Sequence, residues 1–495
     1  MRVFMLGWEF PPFITGGLGT ACYGLTRAMD AQGMGVIFVM PGATDPDASS
    51  HVDLLSPESI DRSGTPMPTT PVPAKPTTTT HVVTAPTEDI LEQDEEQPEF
   101  SERVEFIQLP VKLLHPYDPE AANQPVGTIT EHTQEPKSKN SASTNRTKAS
   151  RDDVIIDEHD EHDEHNEHNE HEPTEERPAD DGGNTDYSGN VMTEVRRFAA
   201  FARSAGETRS FDVIHAHDWM TYPAGLEVAR RTGRPLVVHV HSTEFDRSGE
   251  QVNQQIYDIE RRGMHGAMRV ITVSRLTRNI VIHRYGINPD KVTVVYNGVA
   301  IDPIASGVKP IGRREKIVLY FGRITRQKGP EYFIRAAKRV LEVEPAVRFI
   351  IAGSGDLYRQ CIELAAELGI GQHFLFTGFL RGPDIEKVFA MADLFVMPSV
   401  SEPFGIAPLE AMGHNVPVLI SKSSGASEVL THALKCDFWD TEAMADKIVA
   451  VLRHPPLGQT LRRHGVIDIR RLTWADAAAK CGTVYQEVAA AMPRR

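Results

Sequence analysis

Arg323 and Lys328 stand five residues apart, bracketed by Gly322 and Gly329, between the apolar run Ile317–Phe321 and a helix expected over Pro330–Leu341. A guanidinium fork and an ammonium at a helix start offset about two negative charges, which is what a diphosphate held in a cleft requires. Either residue alone reads as a solvated surface charge; between two glycines the pair reads as a phosphate site. A second group lies in Ser399–Ala411, where Glu402 follows the strand-like run Leu394–Met397 and Glu410 comes eight residues later on an apolar-spaced helix. A carboxylate accepts two hydrogen bonds, so Glu410 suits the cis diol of a ribose. Glu402 suits sugar hydroxyls, with the backbone N–H groups of Phe404 and Gly405 beside it, and Ser423-Ser424-Gly425 is a further contact loop. In the first half of the chain His241 ends the strand-like run Pro235–Val240, the best placed histidine for a reacting carbon. Thr15-Gly16-Gly17-Leu18-Gly19 opens a helix; glycine lets the backbone come close to a ligand and the helix start offers free N–H groups, so Gly17 joins the binding set.

Positioning these side chains takes a layered architecture. Apolar runs at 2–7, 36–40, 104–110, 211–215, 235–240, 269–273 and 292–295 alternate with helix-like segments, which predicts a parallel sheet covered on both faces. After a Pro- and Gly-rich connector over Asp302–Arg314 the alternation restarts, with strands at 317–321, 347–352, 374–376, 394–397 and 416–421. The expected fold class is therefore α/β, with two facing Rossmann-like domains and a ligand cleft between their strand ends. The domains are placed at 1–305 and 306–480, followed by a terminal helical segment at 481–495. Tracts at about 56–100 and 119–183 hold too little apolar periodicity to fold alone and read as insertions in the first domain. In the second, His159, His162, His165, His168 and His171 recur among acids, which reads as a solvated repeat without a specific ligand.

The formal charge of −16 is local, because residues 151–181 carry 15 Asp and Glu against two Arg. The remainder is nearly balanced, so no nucleic-acid partner is expected. Cys22, Cys361, Cys436 and Cys481 lie far apart, fit a reducing cytoplasm and predict no zinc site. No apolar run approaches the ~18 residues of a membrane span, which leaves contact with a membrane surface open. The chain has no Gly-x-Ser-x-Gly elbow, no His-Glu-x-x-His pair and no Gly-Lys-Ser/Thr phosphate loop. Asp393 reads as a strand-start residue rather than a base.

Taken as a set, these residues resemble the retaining nucleotide-sugar glycosyltransferases of family 4 and their glycogen and starch synthase relatives. The resemblance rests on Glu402-Pro403-Phe404-Gly405 through Glu410, on Gly322-Arg323 with Lys328-Gly329, on Gly16-Gly17-Leu18-Gly19, on His215-Ala216-His217-Asp218-Trp219 and on His241. Trp8-Glu9-Phe10-Pro11-Pro12 and Glu244–Gly249 are similar to bacterial family 4 proteins often labelled glycogen synthase. The resemblance implies the GT-B fold and a cytoplasmic enzyme. It implies transfer of an α-glucosyl unit, with retention, from ADP-glucose or UDP-glucose to a growing α-1,4-glucan, with no other cofactor and no metal. Asp45-Pro46-Asp47 lies outside every cleft motif. The implied catalytic set is His241, Arg323, Lys328 and Glu402, and the donor-binding set is Gly17, Arg323, Lys328, Phe404, Gly405 and Glu410.

The sequence departs from the starch synthase pattern, which has Lys where Thr15 stands, Asp where Thr20 stands, and Thr-Gly-Gly-Leu in place of Ser424-Gly425-Ala426. These departures bear on the acceptor and the donor base. The alternative reading is the same chemistry on a lipid or cell-surface oligosaccharide. More distant readings are a sugar-nucleotide epimerase and a non-catalytic glucan-binding protein. Removal of residues 119–183 is expected to leave turnover intact.

Overall fold

The computed structural model describes residues 1–10, 17–42, 104–110, 189–300 and 315–492. Both low-complexity tracts, the connector 301–314 and the loop 11–16 lie outside them. The first lobe runs β1 (Arg2–Leu6), α1 (Gly17–Ala31), β2 (Gly35–Gly42), β3 (Val104–Pro110), α2 (Gly189–Glu207), β4 (Val213–His217), α3 (Tyr222–Thr232) and β5 (Leu236–Val240). It continues through α4 (Glu244–Ser248), α5 (Gln254–Gly266), β6 (Arg269–Thr272), α6 (Arg275–Tyr285) and β7 (Val292–Val294). The second lobe runs β8 (Lys316–Phe321), α7 (Pro330–Val343), β9 (Val347–Ala352), α8 (Tyr358–Glu367), β10 (Phe374–Gly378), α9 (Pro383–Met391) and β11 (Leu394–Met397). It closes with α10 (Ala407–Gly413), β12 (Val418–Ser421), β13 (Leu434–Cys436), α11 (Thr441–Arg453), α12 (Pro455–Ile469) and α13 (Trp474–Ala490).

All the strand pairs are parallel, in the orders β3-β2-β1-β4-β5-β6-β7 and β10-β9-β8-β11-β12-β13. Strands buried on both faces must be apolar throughout, and Val3, Phe4, Met5 and Leu6 of β1 are each 0% exposed. In each sheet the order reverses beside the first strand of the lobe, between β1 and β4 and between β8 and β11. Ligands of open α/β sheets bind in the crevice at such reversals. Asp393 ties this reversal together, accepting the Ile317 N–H at 2.9 Å and the Lys316 ammonium at 3.1 Å.

Four features differ from the sequence expectation. Strand β4 extends two residues beyond His215, so His217 belongs to the sheet. The helix α5 and the three-residue strand β13 have no counterpart in the sequence expectation. The division drawn after residue 480 falls inside α13, which leaves the second lobe and packs on the first. Ala477, Ala478, Cys481, Val484, Tyr485 and Val488 share one apolar cluster with β1, β2 and α1. Its approach is close: a Cβ on Gly24 of α1 would stand 2.3 Å from the Trp474 ring.

Candidate active site

Strand β8 delivers Gly322 and Arg323 into a loop, and a single 3-10 turn over Arg326–Lys328 precedes α7. Arg323 is half-buried, and its carbonyl accepts the Tyr320 hydroxyl at 2.8 Å. Across the strand-order reversal, β11 delivers Ser399 and Glu402. The Lys328 ammonium meets the Glu402 carboxylate at 2.5 Å, with side chains only 19% and 7% exposed. Ser399 Oγ donates to the same Oε2 at 3.3 Å, which leaves Oε1 without a partner among the described residues. The backbone of Glu402 is held too, its N–H by Ser423 O at 3.0 Å and its carbonyl by Gly425 N–H at 2.8 Å.

Sequence reasoning gave Lys328 to a phosphate and Glu402 to a sugar, and the structure brings the two into direct contact. Gly405 lies against them with φ 93°, and a Cβ there would sit 3.1 Å from the Glu402 side chain and 3.0 Å from Met397. Only glycine takes that conformation so close to the carboxylate stem at little cost. The Phe404 ring is core, 2% exposed, while its carbonyl accepts Ala426 N–H at 2.8 Å and Ser424 Oγ at 2.9 Å. Glu410 faces no hydrogen-bond partner for its carboxyl among the described residues, and burial pushes its pKa up to about 7. A half-buried carboxyl waiting for donors is what a diol site requires.

In the first lobe, His241 follows β5. Its backbone N–H donates to Asp218 Oδ1 at 2.7 Å, and Ser242 N–H reaches the same oxygen at 3.3 Å. Asp218 turns the chain after β4 with φ 58°, and burial raises its pKa to about 7 against those two N–H groups. The His241 ring meets His217, Nε2 to Nδ1, at 2.9 Å. Gly17 is the exposed first residue of α1, and nothing stands within 4 Å of where its Cβ would be. The lobes touch where these strand ends meet: Ser401 Oγ donates to Asp246 Oδ1 at 2.6 Å, and Thr277 Oγ1 to Pro403 O at 3.4 Å.

Two family models meet end to end on this architecture. The one described as Glycosyl transferases group 1 matches residues 304–465, and Glycosyltransferase Family 4 matches residues 154–303. Together the two matches make the chain a relative of the family 4 glycosyltransferases. A third model, Starch synthase catalytic domain, matches residues 2–92 of this family 4 relative.

An uncharacterized glycosyltransferase of Methanocaldococcus jannaschii is 38% identical over 236 residues, 45% of this chain and 60% of that protein. The match thus spans less than two thirds of that relative. A D-inositol 3-phosphate glycosyltransferase of Pseudarthrobacter chlorophenolicus is 28% identical over 289 residues, 54% of this chain and 69% of its own. A glycogen synthase of Mycobacterium tuberculosis is 28% identical over 298 residues, 57% and 71%. Among solved structures, a sucrose-phosphate synthase from Thermosynechococcus elongatus superposes with a TM-score of 0.65 at 17% identity, over 99% of this chain and 100% of that one. Anabaena HepE, solved with UDP and glucose, superposes with a TM-score of 0.51 at 22% identity, over 59% of this chain and 82% of that one. These structures share the GT-B fold with the family 4 relative.

Sequence reasoning left several site residues unassigned in this family 4 relative. His217 stands out in the sequence only as part of the 215–219 motif, yet His215 and His217 on β4, and His239 and His241 at β5, alternate with a period of two. That alternation on neighbouring strands was the signal for one face bearing four imidazoles. Glu428 had none: its carboxylate caps α6 from the other lobe, accepting Arg275 N–H at 2.9 Å and Leu276 N–H at 2.7 Å.

Proposed function

We propose that this chain transfers a hexosyl unit, with retention at the anomeric carbon, from a nucleoside diphosphate sugar to a hydroxyl acceptor other than a growing α-glucan. The observation that carries the reading is the Lys328–Glu402 pair at the strand-order reversal, with Glu410 in the first turn of α10 and its carboxyl unpartnered among the described residues. An ammonium has three donors, so Lys328 can hold Glu402 and still meet an oxygen of the diphosphate. Arg323 supplies the second positive charge. Glu410 takes the ribose diol, and the free Oε1 of Glu402 takes a sugar hydroxyl.

In the reaction the bond from the anomeric carbon to the diphosphate oxygen breaks, and its electron pair leaves with the diphosphate. Charge grows on that leaving group, where preorganised Arg323 and Lys328 stabilise it most. The acceptor oxygen bonds to the same face of the carbon, and its proton passes to the leaving phosphate oxygen. His241 orients acceptor and donor sugar from the first lobe and forms no covalent bond. The two lobes exclude water from the donor.

UDP-glucose is the first donor to try, because HepE of the same fold was solved with UDP and glucose. The acceptor is argued from the departures at Thr20 and Ser424-Gly425-Ala426 and from relatives that include D-inositol 3-phosphate glycosyltransferases. A lipid or oligosaccharide acceptor fits these departures. The glucan reading keeps its own support, the starch synthase model over 2–92 and the glycogen synthase relative. The test is product formation from UDP-, ADP- and GDP-hexoses, with inositol phosphate, lipid-linked oligosaccharide or maltooligosaccharide as acceptor. The native chain is run beside Lys328→Ala and Glu402→Ala. Turnover lost in both variants supports the site, the productive acceptor decides between the readings, and no transfer from any donor overturns the proposal.

A further inference from the structure

Four imidazoles lie on one face of the first sheet, His215 and His217 from β4, His239 from β5 and His241 from the residue just after it. They form a two-by-two array with centroids 4.3 Å apart along β4 and 4.2 Å apart along β5. One ring nitrogen from each of His215, His217 and His239 lies within 4.8 Å of the other two. Their planes are 26° apart between His215 and His217, 13° between His215 and His239 and 31° between His217 and His239. An imidazole lone pair lies in the plane of its ring, so nearly parallel rings aim their lone pairs side by side rather than at one centre. The array is therefore a stack, and its chemistry lies in where its protons sit.

Burial fixes the stack in the neutral form. His215, His217 and His239 are at most 2% exposed, and desolvation lowers the pKa of each. A neutral imidazole carries one N–H. In His217, Nδ1 faces His241 Nε2 at 2.9 Å, while Nε2 is buried with no partner. Both ring nitrogens of His239 are buried without a partner, so one N–H of the stack is unpaired whichever tautomer His239 takes. A proton on His217 Nε2 would add a second, and buried N–H groups without an acceptor are rarer than bare acceptors. The proton of His217 therefore belongs on Nδ1, where it donates to His241. The Nε2 of His241 is then an acceptor, and the neutral ring carries its own proton on Nδ1, which has no partner among the described residues. The hydrogen bond at one ring nitrogen sets the tautomer at the other.

We propose that His217 is a positioning residue for the transfer reaction: by donating Nδ1–H to His241 Nε2 it holds His241 as the Nδ1–H tautomer, which presents a neutral hydrogen-bond donor to a sugar oxygen. The proposal rests on the reading of His241 as a sugar-facing residue. His217 itself is anchored from behind. Its ring stacks on His215, and His215 Nδ1 is hydrogen-bonded to the Tyr485 hydroxyl of α13. Thr221 Oγ1 donates to the His217 carbonyl at 2.8 Å, and Asp218 fixes the backbone of His241. Ring and backbone are thus held separately, which is how a supporting shell orients a group at a site.

The first test needs no ligand. Selective nitrogen-15 labelling of histidine in the full chain, with His241 assigned by loss of its signals in His241→Ala, should show Nδ1 protonated and Nε2 bare. His217→Phe keeps a ring in the stack and removes the donor; it should shift His241 to Nε2–H. An Asn side chain places its amide N–H near the position of Nδ1, so His217→Asn should restore the native tautomer. In kinetics with UDP-glucose, His217→Phe should lower kcat roughly tenfold or more, the scale of one well-placed hydrogen bond, with UDP affinity unchanged and His217→Asn recovering much of it. A His241 already in the Nε2–H form in the native chain overturns the proposal. So does a tautomer, or a turnover sensitive to His241→Ala, that His217→Phe leaves unmoved. If His241→Ala itself leaves turnover intact, the reading of His241 fails instead, whatever the tautomer.

Discussion

Lys328 and Glu402 keep their charges largely out of water, and each compensates the other. Removing one partner of such a pair leaves the other uncompensated, at a cost of roughly 3–5 kcal/mol when burial is complete. Lys328→Ala should therefore lower the unfolding midpoint as well as turnover. Glu402→Gln keeps an acceptor for the ammonium, so it should fold normally yet lose about 10²-fold or more in kcat, the scale of one preorganised electrostatic contact. Thermal unfolding beside steady-state kinetics separates the two effects. Glu410 makes a pH prediction. Burial raises its pKa to about 7, so the carboxylate proposed to take the ribose diol is the minor form below that value. UDP affinity should rise between about pH 6 and pH 8, and Glu410→Gln should abolish the rise, as titration calorimetry would show. The same shift has a stability sign. The folded chain holds this proton where the unfolded chain has lost it, so stability falls as pH rises from the ordinary carboxylate range through about 7. Glu410→Gln should accordingly raise Tm more at about pH 8 than at about pH 5.

At the scale of elements, the ends of β4 and β5 are joined through Asp218. Its φ of 58° suits few residues, and its carboxylate gathers two N–H groups from the turn after β5. Asp218→Ala combines left-handed backbone strain with two lost acceptors, and should cost roughly 2–3 kcal/mol in urea unfolding. Asp218→Asn, which tolerates that backbone and keeps one acceptor, should cost less. The strands around this turn were legible because each is a short apolar run. The extension of β4 to His217 was not, because histidine gives no apolar signal even where it is buried on a sheet. The helix α5 escaped for a related reason. It is polar on most of its surface, and only Ile256, Glu260, Gly263 and Met264 are buried.

The whole molecule is held together by contacts between the lobes and by α13. Glu428 of the second lobe caps α6 of the first and also accepts the Tyr296 hydroxyl at 3.0 Å. Glu428→Ala should loosen this contact, raise KM for the donor severalfold and enlarge the particle in small-angle scattering, with little change in the fold of either lobe. The α13 crossing is tested at Gly24. Valine there would drive a side chain into Trp474, and should cost about 1–3 kcal/mol or more, because the packed ring must give way. No helix among the described residues is long and apolar enough to cross a membrane.

The sequence by itself determined the two parallel sheets, the strands that end at the site, and the residue types gathered there. Those features are local: apolar runs of strand length, glycines beside charges, and a glutamate pair whose spacing belongs to one loop and one helix. Tertiary structure alone decided that Lys328 and Glu402 share a hydrogen bond, because they lie 74 residues apart and meet only when β8 and β11 pair. It alone decided that His217 addresses His241 and that Tyr485, 270 residues away, backs His215. Which group faces which depends on the order of strands in the sheet and on where α13 lands. Neither is written in any local run of residues, because both follow from the burial of apolar faces that the chain brings together only on folding.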